Sequence, residues 1–479
     1  MSPQQARPEG LGAGTLARAY ADGTLSPVAV TEAVLDAARQ AGDTFHAFAC
    51  LNEADARRAA AESAARWQAG TPLSPFDGVP VTFKDSFNIA GLPRWHGSAV
   101  NEGRVSAHDA APVRRVREAG LVIIGKTTMP DFGLLMSGLS SRAGVVRNPW
   151  NPDLNTAGSS AGAAAALACG AGALAIGTDM VGSVRLPAAV CGLTAFHATQ
   201  GRVAYDPPGA YRGAGPMGRS TADVEGLLAI VGREDAADHV CLPGAFAPAP
   251  PPRHLHGLRI AVVRQLGWGT PTDAPTLSAT GRAARLLAEA GAEIVPLADF
   301  DLAAGDYEAI YRTMVARGLA ELMSAPADRR GRILPQIGAM IDEALCESAL
   351  AVALTGKRVA AATQRLAAQL EPFDYVLSPA LPVTGFAAVA TGPEPDKGPL
   401  SHRTMSHMGF ACWFNQLGRP AGTVPVLARP GTVPVSVQIA GRRFDDAGVL
   451  GLMALLEERR GFSVDFPLVS ARLGAAERA

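Results

Sequence analysis

The residues with the most chemical potential lie between Asn155 and Pro187, where hydroxyls and small side chains crowd together. One stretch reads Asn155-Thr156-Ala157-Gly158-Ser159-Ser160-Ala161-Gly162. A second reads Gly177-Thr178-Asp179-Met180-Val181-Gly182-Ser183-Val184-Arg185-Leu186-Pro187, and an Ala-rich run reaching Ile176 joins the two. Serine hydroxyls are weak nucleophiles that need an adjacent base. The Ala-rich run alone is accounted for by a buried helix whose small side chains admit other backbones closely, with Ser159 or Ser160 at its N-cap. Such a helix does not explain a Ser/Gly-rich turn at each end of the helix–strand unit. Gly158–Gly162 also fits G-x-S-x-G, the nucleophile elbow, which requires a strand immediately before it. The preceding Asn148-Pro149-Trp150-Asn151-Pro152-Asp153 is broken by two prolines and cannot be a central strand. A metal-dependent hydrolase fares no better, because His254 and His256 flank a proline loop and no carboxylate cluster completes a site.

A base can come from lysine. Of the 43 cationic residues only four are lysines, Lys84, Lys126, Lys357 and Lys397. A compositional bias of the coding sequence explains that trend, yet it gives weight to the exceptions. Burial can make a lysine neutral near physiological pH, whereas arginine stays charged. Lys84 ends the alternating run Gly78-Val79-Pro80-Val81-Thr82-Phe83-Lys84-Asp85, which predicts a strand running inward. On this segment alone, a snorkelling lysine or one paired with Asp85 explains the pattern equally well.

The elements that would carry these residues alternate between helix and strand, the mark of an α/β architecture. Residues 11–70 read as helices, followed by strands at Val79–Phe83 and Leu121–Ile124 with an amphipathic helix at Ala110–Ala119 between them. Leu258–Val263, Ala279–Ala290 and Glu293–Leu297 read as a βαβ unit after a Pro/Ala surface crossing at 247–252. Residues 302–371 read as a helical insert, whose Met314, Met323 and Met340 are better core than ligand cage. Gly10-Leu11-Gly12-Ala13-Gly14 precedes any strand and lacks dinucleotide context. With 479 residues, 48% of them hydrophobic, the chain can bury a large core. Its net charge of −1 argues against nucleic-acid binding. No run of about 18 apolar residues predicts a membrane span. The N-terminal Met1-Ser2-Pro3-Gln4-Gln5 lacks the basic and apolar regions of a signal peptide. Six scattered cysteines without C-x-x-C fit reduced core thiols and a cytoplasmic protein.

Taken together, Ala157–Gly162, Gly177–Arg185, Gly78–Asp85, Gly125-Lys126-Thr127-Thr128-Met129 and Pro434–Phe444 resemble, in order and separation, the motifs of the amidase signature family of serine hydrolases. The resemblance runs from about Leu11 to the end. It implies a single domain over 1–479 with a mixed, twisted central sheet covered by helices on both sides. Residues 11–70 would be N-terminal helices, 72–220 the signature core, and 300–371 a helical insert near the substrate entrance. It also implies a triad without histidine, with Ser183 as nucleophile, Ser159 as bridging serine after a cis peptide bond, and Lys84 as base. The N–H groups of Met180, Val181, Gly182 and Ser183 would form the oxyanion hole. Ser160 and Thr178 would be supporting hydroxyls, and Asp179 and Arg185 a structural ion pair. His96 and His197 need no role, and neither cofactor nor metal is implied.

Departures from the family pattern bear on specificity. Ala157, Ala161 and Val181 replace glycines, Arg94-Trp95-His96 replaces small residues, and Arg212–Met217 lacks the acidic residue that many members carry. A trans, unstrained backbone is expected at Val181. Segments 129–140 and 200–217 and the insert are expected to shape the pocket, with Met129, Phe132, Tyr205 and Tyr211 meeting the substrate. The apolar first segment and the glycine-rich second suit a mobile lid over uncharged, aryl-containing amides or carbamates; Arg202 and Arg212 are possible partners for a carboxylate. The competing readings are the amidase component of a glutamine-dependent amidotransferase, working with partner subunits and tRNA, and an inactive binding module. A monomer or homodimer acting on a small molecule, without nucleic acid or membrane, is expected.

Overall fold

Eleven strands form one sheet, and its centre is where the chain places the hydroxyl-rich turns. In order across the sheet they are Phe48–Leu51, Val122–Thr127, Pro80–Lys84, Leu174–Asp179, Gly213–Gly218, Thr194–His197, Ala421–Leu427, Val435–Ala440, Tyr375–Pro379, Arg259–Val263 and Glu293–Leu297. The computed structural model describes residues 8–469 apart from Pro395, Lys397, Arg429 and Pro430, so Lys397 and the N-terminal pentapeptide lie outside the described residues. The sheet is mixed. Pro80–Lys84 runs parallel to both neighbours, Arg259–Val263 is likewise parallel to both of its own, and the strands between these two groups pair antiparallel.

Helices cover both faces. Pro27–Phe45, Thr221–Val231, Ala274–Glu289 and Asp446–Arg459 bury residues in one apolar cluster. Ala304–Met323, Pro335–Leu345, Ala349–Leu370 and Cys412–Gln416 bury theirs in the other. The expected strands at 79–83, 121–124, 258–263 and 293–297 form within a residue or two of their anticipated ends, save that the second runs on to Thr127. The last two are parallel, as a βαβ crossover requires.

The first seventy residues differ from expectation. Instead of helices alone, Phe48–Leu51 forms an edge strand antiparallel to Val122–Thr127. The preceding helix ends at His46, whose φ of 55° turns the chain into the left-handed region, and four extended residues then reach the sheet. The helical pattern ahead of it is also divided, because Ser26 caps a new helix through Val28 N–H with Pro27 in its first turn.

The Ala-rich helix is Ala161–Ala168, with every residue buried. Its small side chains serve contact with both layers: Ala161, Ala165 and Ala166 join one cluster, Ala163, Ala164 and Ala168 the other. A Cβ on Gly162 would lie 2.3 Å from the Ala47 carbonyl oxygen and 2.5 Å from Thr128 N, so this turn tolerates no side chain. The segment before it forms a short two-stranded ladder, Arg147–Asn148 with Asn151–Asn155, outside the main sheet.

Candidate active site

Lys84 is the last residue of a fully buried strand, and neighbouring side chains on a strand point to opposite faces. The alternation separates it from Asp85. Asp85 pairs with Lys126 at 2.8 Å and accepts the Gly97 N–H. Lys84 points the other way, with Nζ 2.7 Å from Ser159 Oγ and 2.9 Å from Thr178 Oγ1. It is fully shut off from solvent. Burial pulls its pKa well below the ordinary lysine value, and Arg212 and Arg317 pull in the same direction against the attraction of Asp179. This lysine is therefore poised to be a neutral amine.

Ser159 follows a cis peptide bond from Gly158, and Ala157 before it has φ 54°. Both residues next to Ser159 are packed against neighbouring backbone: Ser160 N–H donates to the Ser183 carbonyl, binding the two serine turns together, and a Cβ on Gly158 would meet Ser137 O at 2.5 Å. Ser183 Oγ is directed at Met136 Sδ, 3.6 Å away, and makes no hydrogen bond with Ser159. Both serines nevertheless line one small cavity, so rotation about the Ser183 Cα–Cβ bond is the motion that would join them.

The turn carrying Ser183 is held by an internal carboxylate. Asp179 accepts Gly182 N–H at 2.6 Å and Val184 N–H at 3.2 Å. Of the four expected oxyanion donors, the Gly182 N–H donates to Asp179, whereas those of Met180, Val181 and Ser183 make no hydrogen bond among the described residues. Val181 is in an ordinary trans conformation. Asp179 and Arg185 form the expected ion pair, fully buried, with two contacts of 3.0 Å. Burial alone would raise the Asp179 pKa, but Arg185 holds it far below the usual carboxylate range. Arg185 also donates to Gln438 Oε1, Asn415 Oδ1 and Ala411 O, so its whole fork is satisfied. Ser160 Oγ sits 3.5 Å from the Thr178 carbonyl and approaches Gly177, where a Cβ would be 2.5 Å away.

The cavity is narrow, about 20 Å³, and is lined by Met129, Phe132 and Gly133 beside Ser159, Thr178 and Ser183. Met180, Val181 and Met314 add to it, and so do three residues that sequence reading gave no settled place there: His96, Arg212 and Arg317. The lining thus mixes the expected Met129 and Phe132 with charged and polar side chains. Tyr205 and Tyr211 are not part of it. Tyr205 is buried with its ring under the Arg212 guanidinium, 4.4 Å from centroid to Cζ, and edge-on to Phe87. Tyr211 lies at the surface. His96 is buried, and burial lowers its pKa to about 3, so it is neutral. Nothing in helix Ala304–Met323 marks Arg317 out in sequence, since arginine is common along the whole chain. Asn415 carries no signal either. Only Gln438 falls within a motif, the Pro434–Phe444 segment.

A mixed sheet covered by helices on both faces, with a lysine–serine pair at one end of a parallel strand, is the α/β architecture of an amidase-type protein. The chain belongs to the Amidase family, whose pattern it matches over residues 29–450. It is 32% identical to "Putative amidase AmiB2" of Mycobacterium tuberculosis, over 96% of this chain and 98% of that protein. It is also 32% identical to a glutamyl-tRNA(Gln) amidotransferase subunit from Acidothermus cellulolyticus, over 92% and 93% of the two chains. Among solved structures, a bacterial aryl acylamidase of the amidase signature family superposes with a TM-score of 0.84 at 24% identity, covering 94% of this chain and 96% of that one. A 6-aminohexanoate cyclic dimer hydrolase with bound substrate superposes with a TM-score of 0.83 at 24% identity, covering 96% and 99%. Those two likenesses are of fold.

Proposed function

We propose that the protein hydrolyses the C–N bond of small amides through an acyl-enzyme on Ser183. The observation that carries this reading is the desolvated Lys84 amine, 2.7 Å from Ser159 Oγ, beside a cavity that Ser183 also lines. Ser183 Oγ attacks the carbonyl carbon while its proton passes to Ser159 Oγ, and the Ser159 proton passes to neutral Lys84. The negative charge that develops on the carbonyl oxygen meets the free N–H groups of Met180, Val181 and Ser183. Collapse breaks the C–N bond, and the departing nitrogen takes a proton from Ser159, which Lys84 resupplies. Water then attacks the ester, its proton follows the same route, and Ser183 leaves with its hydroxyl restored.

A carbamate offers the same planar carbonyl and the same oxyanion, so urethanes fall within this chemistry. The cavity measures only about 20 Å³, close to the space one water molecule needs, so neighbouring side chains must give way to any substrate, and small substrates are favoured over bulky diaryl ones. The amidotransferase reading has one observation in its favour, the equal 32% identity to a protein of that description. Against it, the cavity lining has no acidic side chain to receive the ammonium group of glutamine. Labelling with a fluorophosphonate probe, followed by mapping of the modified peptide, tests the proposal. Modification of Ser183 is expected. An unlabelled, inactive protein would return the inert binding module, and glutamine as the best substrate would return the amidotransferase reading.

A further inference from the structure

Two guanidinium groups line the cavity that holds Ser159 and Ser183, and neither is neutralised by a close partner within it. Arg317 donates Nη2 to the Phe132 carbonyl at 2.8 Å, but its Nε and Nη1 are buried without any hydrogen-bond partner. The side chain as a whole is partly exposed, but two buried donors without acceptors are costly to maintain unless something supplies the missing partners. The nearest carboxylate, Glu321 one turn along the same helix, stands 3.9 Å from Arg317 Nη1 and is shared with His96 at 3.6 Å. Arg212 makes no side-chain hydrogen bond or ion pair among the described residues, and the Tyr205 ring beneath it fixes the plane of its fork. Tyr205 is itself fixed by Phe87 and by its N–H on Asp238.

The charge count at this end of the sheet is uneven. Asp179 is matched by Arg185, His96 is neutral, and Lys84 is driven toward neutrality, which leaves two arginines against Glu321. Burial and the repulsion of Arg212 lower Arg317 to about 10, so it remains a cation at neutral pH. A planar anion with two oxygens is the group that two forks and one surplus charge accept best. The same lining has no carboxylate to meet an ammonium group.

We infer that Arg212 and Arg317 form a carboxylate-binding subsite, so that the preferred substrate is a small amide bearing one carboxylate and no ammonium group. This rests on the hydrolase reading above and narrows its substrate class. The carboxylate can belong to the acyl half, as in an ω-amic acid, or to the amine half, as in an N-acyl amino acid, and substrate pairs distinguish the two. Glutaramate against 5-methylhexanamide tests the first, and N-acetyl-β-alanine against N-(3-methylbutyl)acetamide tests the second. In each pair an isopropyl group replaces the carboxylate. At least one carboxylate member is expected to exceed its neutral isostere about 100-fold in kcat/KM, the scale of a hydrogen bond to a charged group. Arg317→Gln and Arg212→Gln should each lower that ratio about 10- to 100-fold, as expected for a lost hydrogen bond between charged groups.

Binding is measured separately by calorimetry on the Ser183→Ala protein, using the same intact amides, so that the subsite is read without turnover. Tighter binding of a carboxylate member, lost in the Ser183→Ala/Arg317→Gln protein while circular dichroism stays native, supports the inference even if Ser183 proves not to be the nucleophile. Equal or tighter binding of both neutral isosteres overturns it even if Ser183 is labelled. Glutamine binding more tightly than glutaramate also overturns it, because the subsite would then be accepting an ammonium group.

Discussion

Lys84 and Ser159, 75 positions apart in sequence, meet at 2.7 Å, whereas Lys84 and the adjacent Asp85 do not pair at all. The strand sends the two neighbours to opposite faces. Asp85 is occupied by Lys126 and so does not help Asp179 to keep Lys84 charged. Burial and two arginines lower the lysine pKa, which favours a neutral amine beside Ser159.

Ser183→Ala should reduce kcat/KM by roughly 10⁴-fold or more, since it removes the attacking atom of a unit whose members act together. Fluorophosphonate labelling should disappear with it. Ser159→Ala should be severely impaired too, because the proton route to Lys84 is then broken. Labelling at an unchanged rate in the Ser183→Ala protein would remove Ser183 from the mechanism.

The pH profile should carry the signature of a depressed lysine. Only the neutral amine accepts a proton, so kcat/KM rises with pH through the Lys84 pKa and then levels, at a pH well below the ordinary lysine value. Histidine should contribute no limb, as burial lowers His96 to about 3 and His197 and His407 to about 4. Lys84→Ala should lose this limb along with most of the rate. A profile that peaks near pH 5 would contradict a lysine base.

Lys84 should also cost the protein stability. Its folded pKa lies below its unfolded value, so the unfolded chain binds more protons and stability rises with pH until about 10.4, the unperturbed lysine value. Lys84→Met, similar in volume and uncharged, is expected to raise the denaturation midpoint at pH 7 while abolishing turnover. The gain should shrink as pH approaches that value. Urea unfolding at pH 7 and pH 10 measures both.

Arg185→Met should destabilise the fold by about 3–5 kcal/mol, because it strands the buried Asp179 carboxylate without its counter-charge. Asp179 also fixes Gly182 and Val184, so the turn carrying Ser183 should loosen as well. Loss of labelling before global unfolding, followed along a denaturant series, is the expected order of events.

Gly133→Ala tests how closely the cavity is fitted. Gly133 has φ 69°, and a Cβ there would lie 3.2 Å from Ser159 Oγ and 3.3 Å from Met129 Cε. The left-handed conformation and the crowding of Ser159 both act against alanine, at a cost of about 1–2 kcal/mol for the backbone alone. The kcat on a small amide should fall more than KM rises, because the bridging hydroxyl is displaced.

What the sequence alone determined is whatever depends on local periodicity and on linked motifs. The alternation at 79–83 and the parallel pair at 259–263 and 293–297 follow from side-chain period, and the buried Ala161–Ala168 helix from composition. The resemblance to the amidase signature family rested on motif order, and it placed Lys84 and Ser159 together, as they are found. The Phe48–Leu51 strand was illegible because four residues between helices carry too little pattern, and its pairing depends on a distant edge. Tertiary structure alone decided how each polar group is shared. Asp179 takes the Gly182 N–H, Arg185 reaches Asn415 and Gln438 more than two hundred residues away, and Tyr205 supports Arg212 instead of lining the cavity. Arg317 shows the limit most clearly. One arginine among many on an amphipathic helix has no distinguishing mark, and only the packing of that helix over the serine turns gives its guanidinium buried, unmet donors. Charge at a site is a property of what surrounds it, and those surroundings are assembled from parts of the chain with no local relation to one another.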